Sequence, residues 1–223
     1  MARETEIKLR VADINAFRKN LKWVGARTVA RGSGQVHEWN TLYDTPGEDL
    51  RGKDLLLRVR VETRVERSKT SKKRVLLTFK GPVKGSKASD AASRAAHDRR
   101  FGSNHKVREE IELEVGDAKA LGTIFARLGM RESFHYEKYR TTFRMPESNR
   151  WARGLLIELD ETPIGIFVEL EGPSRAIDRA AKLLGYSKDE YVLTNYLRLH
   201  AEECMRRGEK VGDMMFRKYR KRK

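Results

Sequence analysis

Cysteine is nearly absent from this chain of 223 residues, where Cys204 stands alone. A lone cysteine excludes an intrachain disulfide and a cysteine-based metal cluster, and it fits a reducing, cytoplasmic setting. Histidine is sparse too: His37, His97, His105, His135 and His200 lack the helical spacing that presents zinc ligands. No apolar run is long enough to cross a bilayer, and the opening MARETEIK carries no apolar signal core, so a soluble protein without a membrane partner is expected. Phosphate loops ending in Gly-Lys-Ser/Thr, dinucleotide fingerprints and nucleophile elbows are missing as well. An enzyme made from this chain has carboxylates, lysines and arginines as its tools.

Charge is what the chain has in excess. Asp, Glu, Lys and Arg make up 36% of it, and the net charge is +16. Such a surface concentrates anions, which points to nucleic acid, phosphorylated metabolites or an acidic membrane as partner, and charge alone does not choose among them. With 39% hydrophobic residues the chain can bury the core of one sizeable domain.

Periodicity divides the chain into strands and helices. Residues 3–11 alternate strictly and read as a strand. Asp13 then reads as the N-cap of a helix ending near Gly25, with Ile14, Phe17, Leu21 and Val24 on one face. The extended segment QVHEWNTLYDTPGED leads through Pro-Gly into the strand LLLRVRVETR, and RVLLTFKGP follows. Residues 83–105 are small, polar and low in complexity, and read as a flexible surface insertion; a basic lid over a site mouth is the functional alternative. KVREEIELEV resumes the strands, and Asp117 opens a helix with Leu121, Ile124, Phe125 and Leu128, stopped by Gly129. Three strands, FHYEKYRTTFRM, GLLIELDE and GIFVELEG, precede a helix after Pro173 with Ile177, Ala180, Ala181 and Leu184 on its apolar face. A short helix runs from Thr194 to about Glu203. Residues 1–203 thus read as one domain, and residues 204–223 as a solvated basic tail with polyanion binding as its alternative.

Each strand has one charged face. Glu4, Glu6 and Lys8 oppose Ile7, Leu9 and Val11; Arg58 and Arg60 oppose Leu57 and Val59; Lys80 opposes Val75, Leu77 and Phe79. Arg108, Glu110 and Glu112 oppose Val107, Ile111 and Leu113, and Lys138 and Arg140 oppose Tyr139 and Phe143. Glu158 and Asp160 oppose Ile157 and Leu159, and Glu169 and Glu171 oppose Val168 and Leu170. Polar-out alternation over a core is the ordinary explanation of any one such strand. Here the charges of four strands are sorted, acids with acids in the last two and bases with bases in LRVR and EKYR, and three amphipathic helices are available to cover the apolar side. The sheet can therefore curl closed with helices outside and charges lining its bore. Clustered carboxylates suit Mg²⁺ or Mn²⁺, and clustered arginines match phosphate oxygens, so such a bore suits a metal complex of a polyphosphate.

On these residues the chain resembles the CYTH family of triphosphate tunnel metalloenzymes, in its bacterial class IV adenylyl cyclase-like subgroup. The matching motifs are the N-terminal ExExK of Glu4, Glu6 and Lys8, then LRVR, LTFKGP, VREEIELEV, YEKYRTTF, IELDETPIGIFVELEG and TNYLRL, over residues 2–203. The resemblance implies an α+β fold, an eight-stranded antiparallel closed barrel with helices packed outside, completed by the extended segment around Gln35 to Tyr43. It implies Glu4, Glu6, Glu169 and Glu171 as leading metal ligands, with Glu110, Glu112, Glu158 and Asp160 as further candidates, for Mg²⁺ or Mn²⁺. Lys8, Arg58, Arg60, Lys80, Arg108, Lys138 and Arg140 are the implied triphosphate-binding residues. Glu4, Glu6 and Lys8 are the candidate catalytic set; Lys8 binds phosphate or, with a lowered pKa, acts as a base. The implied reaction is hydrolysis of inorganic or organic triphosphate, with conversion of ATP to cyclic AMP and pyrophosphate as the alternative. A third option is a module that binds polyphosphate or RNA without cleaving it.

Overall fold

The structure is a computed structural model and describes residues 3–29, 34–65, 73–84 and 105–216. Nine strands occur in it: β1 (Arg3–Val11), β2 (Arg27–Thr28), β3 (Gln35–Asp44), β4 (Leu56–Arg64), β5 (Lys73–Lys80), β6 (Lys106–Val115), β7 (Arg131–Arg144), β8 (Leu156–Thr162) and β9 (Gly165–Glu171). All pairings among them are antiparallel, in the order β7-β3-β4-β5-β6-β1-β9-β8, and β8 pairs again with β7. That last pairing closes an eight-stranded barrel, the architecture the family resemblance implies. The two-residue β2 only extends one end of β7.

Five described helices accompany the strands: α1 (Ile14–Trp23), α2 (Asp49–Gly52), α3 (Ala118–Arg127), α4 (Ser174–Leu183) and α5 (Tyr196–Arg207). Asp13 and Asp117 cap α1 and α3 as the sequence predicts, each accepting two backbone N–H groups at 2.8 and 3.1 Å. The turn α2 was not legible as a helix. It hangs on Asp44, whose carboxylate accepts from the backbone N–H of Thr45, Leu50 and Arg51.

The apolar faces of the strands look outward. Ile7, Leu9, Ile157, Leu159, Val168 and Leu170 are buried beneath Phe17 and Leu21 of α1 and Ile177, Ala180 and Ala181 of α4. Each such side chain contributes roughly 1.5–3 kcal/mol on burial, so this outer layer is where the barrel gains its hydrophobic stability. On another arc, Leu121 and Phe125 of α3 cover Leu57, Val59, Val75 and Leu77. The cover is incomplete: on β6, Ile111 and Leu113 stay 45% and 57% exposed.

Two sequence expectations change at the C-terminal end. The last helix runs to Arg207 rather than Glu203. The stretch after it is not simply solvated, because residues 208–216 return to β7. Met214 is fully buried and bridges Tyr136, its N–H donating to the His135 carbonyl at 2.9 Å, and the Phe216 N–H donates to Glu137 at 2.7 Å. The reason is apolar: Met214 joins Phe134, Tyr136 and Phe167, which a purely ionic tail has no means to do. Residues 217–223 of the expected tail, and residues 85–104 of the expected insertion, lie outside the described residues. No described helix is long and apolar enough to cross a membrane.

Candidate active site: a charged bore

Register decides which charges meet. Residues directly opposite on neighbouring strands share a face, and the ladder sets Lys8 against Glu169, Glu158 against Glu169, Arg140 against Asp160, Lys138 against Glu38, and Lys80 against Glu110. Because the outward positions are taken by the apolar residues, all of these side chains point into the barrel. Every residue expected at the site except Asp160 lines one cavity of about 2090 Å³. Asp160 lies just behind its wall with no exposed surface.

The cavity has a carboxylate-rich region and a cation-rich region. In the first, Glu4 accepts from Lys80 Nζ at 2.5 Å, Lys80 also reaches Glu110 at 3.3 Å, and Glu6 pairs with Lys106 at 2.5 Å. Burial, then the neighbouring Glu6 and Glu110, push the Glu4 carboxyl up to about 8. Burial and Glu158 push Glu171 up to about 7. Glu6 goes the other way: burial would raise it, but Lys106 and Lys8 outweigh that and hold it well below the usual range.

In the second region Arg140 holds three acids, Glu158, Asp160 and Glu169. Lys138 donates to Asp160 at 2.8 Å, and Arg60 lies 3.3 Å from Glu38. Arg58 is different. It bonds the Tyr136 hydroxyl at 3.2 Å and Thr78 at 3.1 Å, its nearest ion pair is Glu112 at 3.8 Å, and its Nε is buried without a hydrogen-bond partner. A buried donor without an acceptor is costly.

Lys8 does not meet the condition for a base. Burial would lower its pKa, but Glu169 at 2.8 Å and then Glu6 raise it above the ordinary lysine value, so it stays an ammonium. The lysine that is held down is Lys106, by burial and by its neighbours Lys8, Arg108 and Lys80 against the pull of Glu6. Arg108 lines the cavity but spends its guanidinium on the carbonyls of Gly81 at 2.6 Å and Asp54 at 2.7 Å.

Several residues of the site were missed. Glu38 and Asn40 lie in β3, read only as an extended segment, although they alternate with Trp39 and Thr41 in the same period-two pattern. Both are buried, and Glu38 neighbours Arg60, Lys138 and Arg140. Lys106 is in step with Arg108, Glu110 and Glu112, but the low-complexity segment before it hid the start of the strand. Tyr136 and Tyr196 carry no charge, so a search for charged faces passes over them. Burial would raise the Tyr136 phenol, yet Arg58, Lys138 and Arg60 bring it below the usual tyrosine value.

The carboxylate region suits a hard divalent cation. Its donors are all oxygens, with Glu4, Glu6, Glu110 and Glu171 lining one stretch of the cavity; burial raises Glu4 and Glu171, while nearby lysines hold Glu6 and Glu110 low. Among the described residues no three acids, histidines or cysteines are already drawn into a metal-holding group.

Fold and bore together define a closed antiparallel barrel with a charged, ligand-sized interior. Residues 2–191 match the CYTH domain, and the chain belongs to that family. A Methanocaldococcus jannaschii protein, provisionally named an adenylate cyclase, is 26% identical over 207 residues, covering 88% of this chain and 97% of the relative. A Vibrio parahaemolyticus structure, provisionally described as an adenylate cyclase, superposes with a TM-score of 0.64 at 17% identity, over 89% of this chain and 97% of its own. A Hippeastrum structure, provisionally an adenylyl cyclase and described as revealing a dominant triphosphatase activity, superposes with a TM-score of 0.53 at 18% identity, covering 93% and 97%.

Proposed function

We propose that this protein holds a triphosphate inside the barrel and, with a divalent cation, cleaves one of its phosphoanhydride bonds, hydrolysis being the reaction. The observation that carries the reading is that one cavity is lined both by Arg58, Arg60, Lys138, Arg140 and Lys8 and by the carboxylates of Glu4, Glu6, Glu110 and Glu171. Pure anion binding needs no such acids, which disfavours a polyphosphate- or RNA-binding module.

Arg58, Arg60, Lys138 and Arg140 bind the phosphate oxygens, and Lys8 joins them as a permanent cation. As the P–O bond breaks, negative charge moves onto the bridging and terminal oxygens, and these fixed cations stabilise it without having to reorganise. Glu4, Glu6 and Glu171 hold the cation, with Glu110 beside them. Mg²⁺ or Mn²⁺ in that place supplies Lewis-acid polarisation of phosphate and water. Asp160 from behind the wall and Glu169 within it pair with Lys8, Lys138 and Arg140 and hold them in place.

The cyclase reading is favoured by the name given to the archaeal relative and by an apolar part of the cavity wall. There Leu197, Ala201 and Met205, spaced four apart on α5, line the same space as Leu42, Leu55 and Phe134, an apolar wall an organic group can use. In that reaction the ribose 3′-hydroxyl attacks the α-phosphorus and pyrophosphate leaves. Hydrolysis needs only the bore and a water, and a barrel of this fold is described with dominant triphosphatase activity.

The test incubates the protein with Mg²⁺ or Mn²⁺ and either tripolyphosphate or ATP, and quantifies orthophosphate, pyrophosphate and cyclic AMP. Orthophosphate from tripolyphosphate is expected; cyclic AMP with pyrophosphate assigns the cyclase instead. Glu4→Gln with Glu6→Gln is expected to abolish turnover in a protein that remains folded by circular dichroism, and retained turnover would remove the metal assignment.

A further inference from the structure

Tyr196 is the first residue of α5, placed by the Asn195 side chain, which accepts the Arg198 N–H at 2.9 Å. Its ring enters the end of the barrel and is buried between Phe167, 5.5 Å away edge-on, and Tyr136 at 6.4 Å. Its hydroxyl donates to Asp160 Oδ2 at 2.7 Å. That same oxygen accepts Lys138 at 2.8 Å and Arg140 Nη2 at 2.6 Å, while Oδ1 accepts Arg140 Nε at 2.7 Å. The Tyr196 ring face also lies 4.7 Å from Lys8 Nζ and 5.2 Å from Lys138 Nζ. One neutral side chain therefore touches two of the cations and the carboxylate that orients a third.

We infer that Tyr196 is a positioning residue of the triphosphate site, aligning Lys8 and Lys138 through its ring and Arg140 through its hydrogen bond to Asp160. The inference rests on the proposed function, since it is a triphosphate that these cations are aligned to receive.

The physical case is a contrast with a carboxylate in the same place. An acid there would hold the lysines tightly but cancel the charge a phosphate needs. An aromatic face attracts an ammonium more weakly and leaves its N–H donors and its full charge available. The hydroxyl serves Asp160, which is fully buried and whose two oxygens carry Lys138 and Arg140. Burial, then the Asp160 charge, push the phenol far above the ordinary tyrosine value, so it stays a donor. Phe167 and Tyr136 fix the ring laterally, which makes the docking of α5 and the alignment of the cations one event.

Calorimetric titration of tripolyphosphate in EDTA into the full chain and into Tyr196→Phe and Tyr196→Leu tests this, alongside thermal melts and turnover kinetics with Mg²⁺. Tyr196→Phe keeps the ring and loses only the hydroxyl; its affinity is expected to fall roughly fivefold, with KM raised and kcat little changed. Tyr196→Leu loses both contacts and is expected to fall more than about tenfold. Wild-type binding with equal affinity in Tyr196→Phe overturns the inference and leaves the proposed function standing. So does an affinity loss that disappears well below the melting points, because it would be structural. Absence of both wild-type binding and wild-type turnover with Mg²⁺ overturns the proposed function and this inference together, whereas turnover without metal-free binding overturns this inference alone.

Discussion

Glu4 and Glu6 are two residues apart on one strand and shift in opposite directions, which shows how strongly the bore acts on single side chains. Glu6 has Lys106 and Lys8 beside it; Glu4 has Lys80 but also Glu6 and Glu110. The consequence for pH can be worked out in sign. Against an ordinary value of 4.5, Glu4 at about 8 and Glu171 at about 7 keep protons in the folded protein that the unfolded chain has already released. Their stabilisation is complete below about pH 4.5 and is lost as pH rises through 7 to 8. Glu6 and Glu169, held low, contribute the reverse: their stabilisation is present above 4.5 and lost as the solution becomes strongly acid. The metal-free protein is therefore expected to melt at progressively lower temperature between pH 6 and 8.5, and Glu4→Gln, which cannot ionise, should flatten that decline. Thermal melts in EDTA across this range check it, and a flat wild-type profile would contradict the crowding of acids described above.

Among the elements, the last helix and the segment after it departed most from expectation. The motif TNYLRL marked a helix, but nothing local in MRRGEKVGDMMF says that Met214 will lie against the barrel, since a short apolar step among charges looks the same in a solvated tail. Its burial comes from the facing surface of Phe134, Tyr136 and Phe167, contributed by strands 47 or more residues earlier in the chain. Met214→Ala is expected to destabilise the protein by about 2–5 kcal/mol, as for other fully buried methionines. Equilibrium urea unfolding measures it, and a loss below about 0.5 kcal/mol would mean the segment is not docked on β7. Gly172 is a second element-level constraint. It turns the chain from β9 into α4 with φ +142°, and a Cβ there would lie 2.5 Å from the Gly154 carbonyl oxygen, so only glycine lets Glu171 end the strand facing the bore.

For the whole molecule, closure of β7 on β8 converts one charged face per strand into an enclosed site. In an open sheet these lysines and glutamates would be screened by water and worth little to one another; inside the barrel they are buried and a ligand must compete with their mutual pairs. A bound triphosphate is expected to stabilise the fold by about 2.7 kcal/mol at a hundred times its Kd, or about 5–10 °C in Tm for a chain of this size. Melts with and without tripolyphosphate measure the shift, Arg58→Ala should remove most of it, and no shift at saturating ligand would argue that the bore does not take triphosphates. The amino-acid sequence by itself determined which face of each strand is ionic, where the helices begin at Asp13 and Asp117, and that apolar helices cover the other side. These are local properties, written in periods of two and 3.6 residues. Only the tertiary structure decided which acid meets which base, that Asp160 and Glu38 stand behind the wall while Lys106 lines it, that Arg108 is tied to backbone carbonyls, and that Tyr196 reaches Lys8. Those partners depend on strand register and barrel closure, which bring together residues far apart in the chain, and no local pattern encodes a distance of that kind.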